Sequence, residues 1–513
     1  MVLPSSLRVL GALALTLSGL GADASAIRRD YPTDGSTLKW GPCQLRQNTT
    51  LPIQCAKLTV PLDYLNESDT RTIELDLARI PATKEPRRGS ILLNFGGPGQ
   101  PGVESLPAYA PIQGPVLGGY HDLVTWDPRG TGSTLRFSCF PTDPSGYYAA
   151  MGTTLAGSAD TAVGQLWAEG GVIAEQCYKN LKDIGNYVGM AYTARDMISI
   201  VDALGEDGML RYWGISGGTT LGATVSAMFP DRVDKVLLDG VMNVHEYYHS
   251  FGEPEFLASA DDTFREFLSG CVKAPENCPL ARNHTAQELE QIMTDLFAAV
   301  REQPVSYRGE AVIDYTLFKG FIFSSLYRPS SWPQLSAGID QIVHENNWDT
   351  LVAFALGPGI PQEDQAILGI RCGDKGPRSD HLSDLSDVLS RFIKTSQWFW
   401  DWAWGYWVLP CAQWKFEAKE RYEGDFHVRT KNPLLFVGNT WDPVTPLVSA
   451  KNVSSGFEGS VLLQHNGHGH LAMTQPSNCT DGYIQRYFLE GTLPKPGTIC
   501  EPNEPLFAHP PSF

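Results

Sequence analysis

The 513-residue sequence has no Cys-x-x-Cys pair and no Cys/His cluster at metal-ligand spacing, which argues against a zinc site. It has no run of Lys or Arg longer than a pair (Arg28-Arg29, Arg87-Arg88), and its 39 basic residues are outnumbered by 57 acidic ones. A formal charge of -18 offers no general attraction for phosphate backbones or anionic lipid, so nucleic acid is not an expected partner. Beyond the N-terminal segment no apolar run is long enough to span a bilayer. Internal repeats and low-complexity tracts are absent. What the chain does contain is core material. It is 42% hydrophobic, with 13 Trp, 19 Tyr and 22 Phe, which excludes a disordered protein and suits a large core in more than one domain.

The first 26 residues place Arg8 before an apolar stretch, Val9 to Leu20, and end in Ala24-Ser25-Ala26. This is the pattern of a secretory signal peptide, so a secreted, extracellular protein without a membrane attachment after cleavage is expected. The 10 cysteines agree. They fall as near neighbours: Cys43 and Cys55, Cys139 and Cys177, Cys271 and Cys278, Cys372 and Cys411, Cys479 and Cys500. Five disulfides are expected, although spacing does not fix their connectivity. Sequons at Asn48, Asn66, Asn283, Asn452 and Asn478 point to glycosylation.

Short apolar runs alternate with helical patterns, which predicts an α/β fold with a mostly parallel sheet and helices on both faces. TIELDLARI (72–80), GSILLNF (89–95), DLVTW (122–126), MLRYWGI (209–215) and VDKVLLDG (233–240) read as strands. TARDMISIVDALG reads as a helix with Thr193 as its cap and Gly205 as its stop. From about 245 to 430 the pattern is helical and rich in aromatics, and strands resume with PLLFVGN (433–439) and SVLLQH (460–465). The expected organisation is a signal peptide (1–26), a sheet domain in two parts (27–244 and 431–513), and a helical cap inserted at 245–430. An independent helical domain is the alternative.

One stretch carries chemistry. In RYWGISGGTTLG, Gly214 and Gly218 flank Ser216 between a strand and a helix, the pattern of a nucleophile elbow. Three fixed positions recur by chance in roughly one chain in five of this size, so partners must decide. A serine nucleophile needs a base, and the base an orienting acid, in the order Ser, Asp or Glu, His for this fold class. Asp442 follows the first of the two last strands. His465, His468 and His470 follow the second, in HNGHGH. The glycine-rich NFGGPGQPG after an early strand supplies Gly97 as one oxyanion donor, and Gly217, after the nucleophile, supplies the other.

Taken together, NFGGPGQPG, VTWDPRGTGS, YWGISGGTTLG, DPVTP, GHGH before PSNC, and YFLEGTLPKPGTIC resemble the secreted α/β-hydrolases of the tripeptidyl aminopeptidase type, relatives of the prolyl aminopeptidases. The resemblance implies an α/β-hydrolase fold, acyl transfer without a metal or cofactor, and His470 as the base because it ends the Gly-His pair before PSNC. His468, which also follows a glycine, is the alternative. Phe95 departs from the prolyl enzymes, which usually carry His there. Asp127 and Arg129 of DPRGTGS are expected to brace loops. An aminopeptidase also needs a carboxylate for the substrate ammonium, and Asp374 in IRCGD is the candidate that the resemblance offers. The expected catalytic set is Ser216, Asp442 and His470, acting on a peptide or a small-molecule acyl substrate. Competing readings are an esterase, lactonase or amidase with the same triad, and an inactive binding protein on the same scaffold.

Overall fold

The computed structural model describes residues 36–46, 49–141, 154–355 and 364–511. The signal segment, Arg28-Arg29 and Asn48 therefore lie outside the described residues. Ten strands form one sheet: β1 (Gly41–Pro42), β2 (Gln54–Pro61), β3 (Thr72–Ile80), β4 (Ser90–Asn94), β5 (Asp122–Trp126), β6 (Leu210–Ile215), β7 (Val233–Asp239), then β10 (Leu435–Trp441), β11 (Val461–His468) and β12 (Ile499–Cys500). A separate hairpin, β8 (Val305–Tyr307) with β9 (Ala311–Ile313), lies in the helical interval between. The sheet order is β1-β2-β3-β5-β4-β6-β7-β10-β11-β12. Pairing is antiparallel from β1 to β5 across β3 and parallel from β5 to β12. This is an α/β-hydrolase fold.

Strand side chains alternate between two buried faces, so the central strands read as unbroken apolar runs. Leu93, Trp213, Ile215, Leu237, Leu435 and Val437 pack beneath helices Gly102–Val116 and Asn478–Glu490. Leu92, Val124, Tyr212, Val236, Leu238 and Phe436 belong to the opposite core, with helices Met190–Ala203 and Gly217–Met228. Each such side chain removed from water contributes about 1.5–3 kcal/mol, which outweighs any local propensity.

The register then sets the site. Asn94 pairs with Gly214, Ile215 with Asp239, Asp239 with Val437, and Trp441 with His468. The C-terminal ends of β4, β6, β7, β10 and β11 therefore line one edge. Chain order reverses between β4, whose parallel neighbours are β5 on one side and β6 on the other, and such a switch point opens a crevice at the strand ends.

Two local expectations are corrected. The helix expected to start at Thr193 begins at Met190, and Thr193 instead bonds back to the Gly189 carbonyl at 2.8 Å. Strand β11 runs on to His468, so His465 and His468 are strand residues and only His470 stands in the loop beyond. All ten cysteines pair as the near neighbours set out above. Asn66, Asn283, Asn452 and Asn478 are exposed. Among the described residues no helix is long and apolar enough to cross a membrane.

Candidate active site

Ser216 sits at φ 53°, ψ -124°, a left-handed conformation that is costly for a residue with a Cβ and that recurs at active sites. The turn exists because its neighbours carry no side chain. A Cβ on Gly218 would stand 2.7 Å from Asn94 Oδ1, and one on Gly214 would collide with the Gly218 carbonyl. The Ser216 N–H donates to the Asp239 carbonyl at 3.0 Å, and its own carbonyl accepts from Thr219 N–H at 2.8 Å and Thr219 Oγ1 at 2.6 Å. The strained residue is thus held from both sides.

The loop after β4 closes over this turn. A Cβ on Gly96 would come within 2.9 Å of the Ser216 Cβ, and one on Gly217 within 2.6 Å of Pro98 N. Gly97, at φ 100°, therefore lies beside Gly217, the first residue of its helix, whose N–H has no intrahelical acceptor. The glycine-rich loop and the helix start are thus brought together next to Ser216.

His470 follows Gly469, whose φ of 84° lets the chain turn back toward the sheet. Its Nδ1 lies 3.0 Å from Asp442 Oδ2 and 3.2 Å from Oδ1. Asp442 is fully buried and accepts further bonds from Val444 N–H (2.9 Å), Thr445 N–H (2.8 Å) and Thr445 Oγ1 (2.7 Å). A carboxylate so fixed can hold the imidazole with its proton on Nδ1, leaving Nε2 as the basic nitrogen. From the helical interval, Tyr327 accepts the His470 N–H through its carbonyl at 2.9 Å and sets its ring edge-on to the imidazole, 5.2 Å between centroids. Gly240, directly after the Asp239 that bonds Ser216, has room for no Cβ without meeting His470 Cε1 at 3.5 Å and Leu471 Cδ2 at 2.6 Å. Serine and histidine thus flank the end of β7.

The other two histidines are engaged elsewhere. His468 stacks on Trp441 (4.2 Å, 5°), with Nδ1 3.1 Å from Gln475 Oε1 and Nε2 3.4 Å from Glu266 Oε2. His465 faces Thr480 Oγ1 at 2.9 Å, and burial pushes its pKa down to about 4.

The family model described as "TAP-like protein" matches residues 397–500, the stretch that holds Asp442 and His470. Serine protease Hip1 of Mycobacterium tuberculosis is 26% identical over 96% of this chain and 96% of its own length. Tripeptidyl aminopeptidase of Streptomyces lividans is 25% identical over 91% of this chain and 87% of its own. Carboxylesterase B of M. tuberculosis is 27% identical, covering 90% of each chain. The chain is similar to TAP-like α/β-hydrolases. It is accordingly a serine hydrolase.

In this hydrolase Asp374 does not stand where a substrate ammonium could meet it. It is fully buried at the end of helix Asp364–Asp374, and its oxygens accept from Met190 N–H (3.1 and 3.2 Å) and Tyr247 Oη (2.9 Å). Burial raises its pKa to about 7. Because Gly189 brings no side chain to the start of helix Met190–Ala203, Asp374 supplies that cap from across the structure. The expectation of a receptor carboxylate at Asp374 is corrected on this ground. Arg129 and Asp127 do brace the frame. Arg129, fully buried, forks onto Asp196 (2.7 and 2.9 Å) and reaches the Pro61 and Leu62 carbonyls, while Asp127 accepts from Val103 N–H at 2.9 Å. Thr445 and Tyr327 escaped the sequence reading. An Asp followed three residues later by Thr in a strand-end turn could have revealed Thr445. Nothing local marks Tyr327, which arrives from 143 residues before His470 in the chain. Among the described residues no cluster of His, Cys, Asp and Glu could hold a metal ion.

Proposed function

We propose that this serine hydrolase is a secreted exopeptidase that cleaves near free N-termini through an acyl-enzyme. The observation that supports the reading most is the Asp442–His470 pair fixed beside an elbow serine, in a chain similar along its length to a protein named tripeptidyl aminopeptidase. In this mechanism His470 Nε2 takes the Ser216 proton as Oγ attacks the carbonyl, and Asp442 stabilises the imidazolium. Gly97 and Gly217 N–H groups hold the oxyanion, His470 returns the proton to the leaving amine, and water then releases the acyl group. The described hydrogen bonds include none from Ser216 Oγ to His470. We assign that contact to the substrate complex, where catalytic bonds commonly tighten. The helical interval 245–430 acts as the cap, through Tyr327 on the base loop and through Ala366 and Ile367, which approach the oxyanion loop at Gly99. Ten paired cysteines support an extracellular location.

A second reading, an ester or amide hydrolase for small metabolites, is favoured by the enclosure of Asp374, which removes the candidate ammonium receptor, and by the similarity to a carboxylesterase. A panel pairing free and N-blocked mono-, di- and tripeptide amides with short p-nitrophenyl esters separates the two. Cleavage of free but not blocked peptides, lost in Ser216→Ala, supports the exopeptidase. Serine-dependent cleavage of esters alone overturns it in favour of the second reading.

A further inference from the structure

A cavity of about 510 Å³ lies outside the catalytic crevice, between helices Gly102–Val116 and Asn478–Glu490. Its floor is the sheet itself, Trp213 on β6 and Asp239 at the end of β7. Pro111, Pro115 and Ile484 give it apolar walls, and Asp481 adds a second carboxylate. Of the residues that line it, none is Lys, Arg or His.

The floor is chemically unfinished. Asp239 is 1% exposed and Trp213 is 2% exposed, yet Asp239 Oδ2 and Trp213 Nε1 have no hydrogen-bond partner. Asp239 spends its other oxygen on Ala472 N–H at 3.3 Å. A buried polar atom without a partner is costly, and a buried carboxylate without a counter-charge more so. The cross-strand partners of both residues are apolar: Leu93 and Leu237 beside Trp213, Ile215 and Val437 beside Asp239.

From this arrangement we infer that the cavity binds a small organic cation: a primary ammonium on an apolar body, its N–H groups donating to Asp239 and its body lying between the two prolines and Ile484. The volume fits such a ligand. Two carboxylates without a basic residue exclude an anion. Burial holds the Asp239 carboxyl at about 7 and raises that of Asp481, and a bound cation relieves this cost in both. The site is separate from the acyl chemistry but touches its frame. Trp213 stands three residues before Ser216, and Ala472 two residues after His470. The inference does not depend on which substrate the enzyme cleaves.

The probes are benzylammonium and its neutral analogue benzyl alcohol, titrated calorimetrically into the full protein. The variants are Asp239→Asn, which keeps the shape and removes the charge, and Gly482→Phe, which leaves the carboxylate and fills the cavity from the helix side, where a Cβ meets nothing closer than 3.6 Å. Saturable binding of the cation near ~1 mM, at least about tenfold weaker for the alcohol and for each folded variant, is the expected result. Should Asp239→Asn fail to fold, Gly482→Phe decides alone. Equal binding of the alcohol, binding untouched by the variants, or no saturation overturns the site.

Discussion

His470 Nδ1 lies 3.0 Å from Asp442 Oδ2, and the carboxylate that holds it is itself held by Val444 and Thr445. Two residues 28 positions apart become one unit because β10 and β11 are parallel neighbours whose ends coincide. Asp442→Asn should preserve the fold and lower kcat by about 10⁴, since an amide leaves imidazole in the wrong tautomer. Steady-state kinetics on peptide and ester substrates check this, and a loss under about tenfold would contradict it.

The histidines separate in the same way. His470→Ala should lower turnover by three or more orders of magnitude, roughly the scale of a lost triad member. His468→Gln should keep kcat within about tenfold and lower the unfolding midpoint, because it loses the stack on Trp441 and the contact with Glu266. Paired kinetics and thermal melts distinguish them.

Ser216, the proposed nucleophile, is strained. Ser216→Gly, free to adopt φ 53°, should abolish hydrolysis and stabilise the fold by about 1 kcal/mol, as measured by denaturant unfolding under non-reducing conditions. A destabilised glycine variant would mean that the turn is not strained.

Gly96→Ala should lower kcat by about 10²-fold or more, because its Cβ would push the oxyanion loop away from Ser216. The effect should fall on kcat rather than KM for small esters, which gain little binding from that loop.

Asp374→Asn should affect peptides and esters alike, since the carboxyl caps a helix rather than meeting substrate. It also carries a pH signature. Burial raises the folded-state pKa of Asp374 from 3.8 to about 7, so its protonated form favours the folded state. That contribution is full below about pH 4 and is lost as pH rises through about 7. The variant should therefore lose less stability than the parent between about pH 4 and 7, measured by unfolding midpoints across that range.

Much of this was legible in the sequence, for a physical reason. Strands Thr72–Ile80 and Asp122–Trp126 fall at the expected bounds because apolar content and flanking turns are local signals. Ser216, Asp442 and His470 could be marked because each sits at a strand end in a glycine- or proline-rich turn. What escaped was tertiary. His468 became a strand residue because pairing with Trp441 extends β11 past its apolar run. Asp374 could be noticed as a carboxylate, but its burial depends on Met190 and Tyr247, which are 184 and 127 residues away. Strand β2 was missed because QCAKLTVP is half exposed along one side and shows no clear apolar run.

The most direct measurement of the central claim is active-site labelling with a fluorophosphonate, followed by peptide mass mapping of the parent and of His470→Ala. A single adduct on Ser216, with labelling slowed by orders of magnitude in the histidine variant and with hydrolysis lost in step, is the predicted result. Labelling at another residue, or full hydrolysis by a protein whose Ser216 is quantitatively modified, would contradict the account.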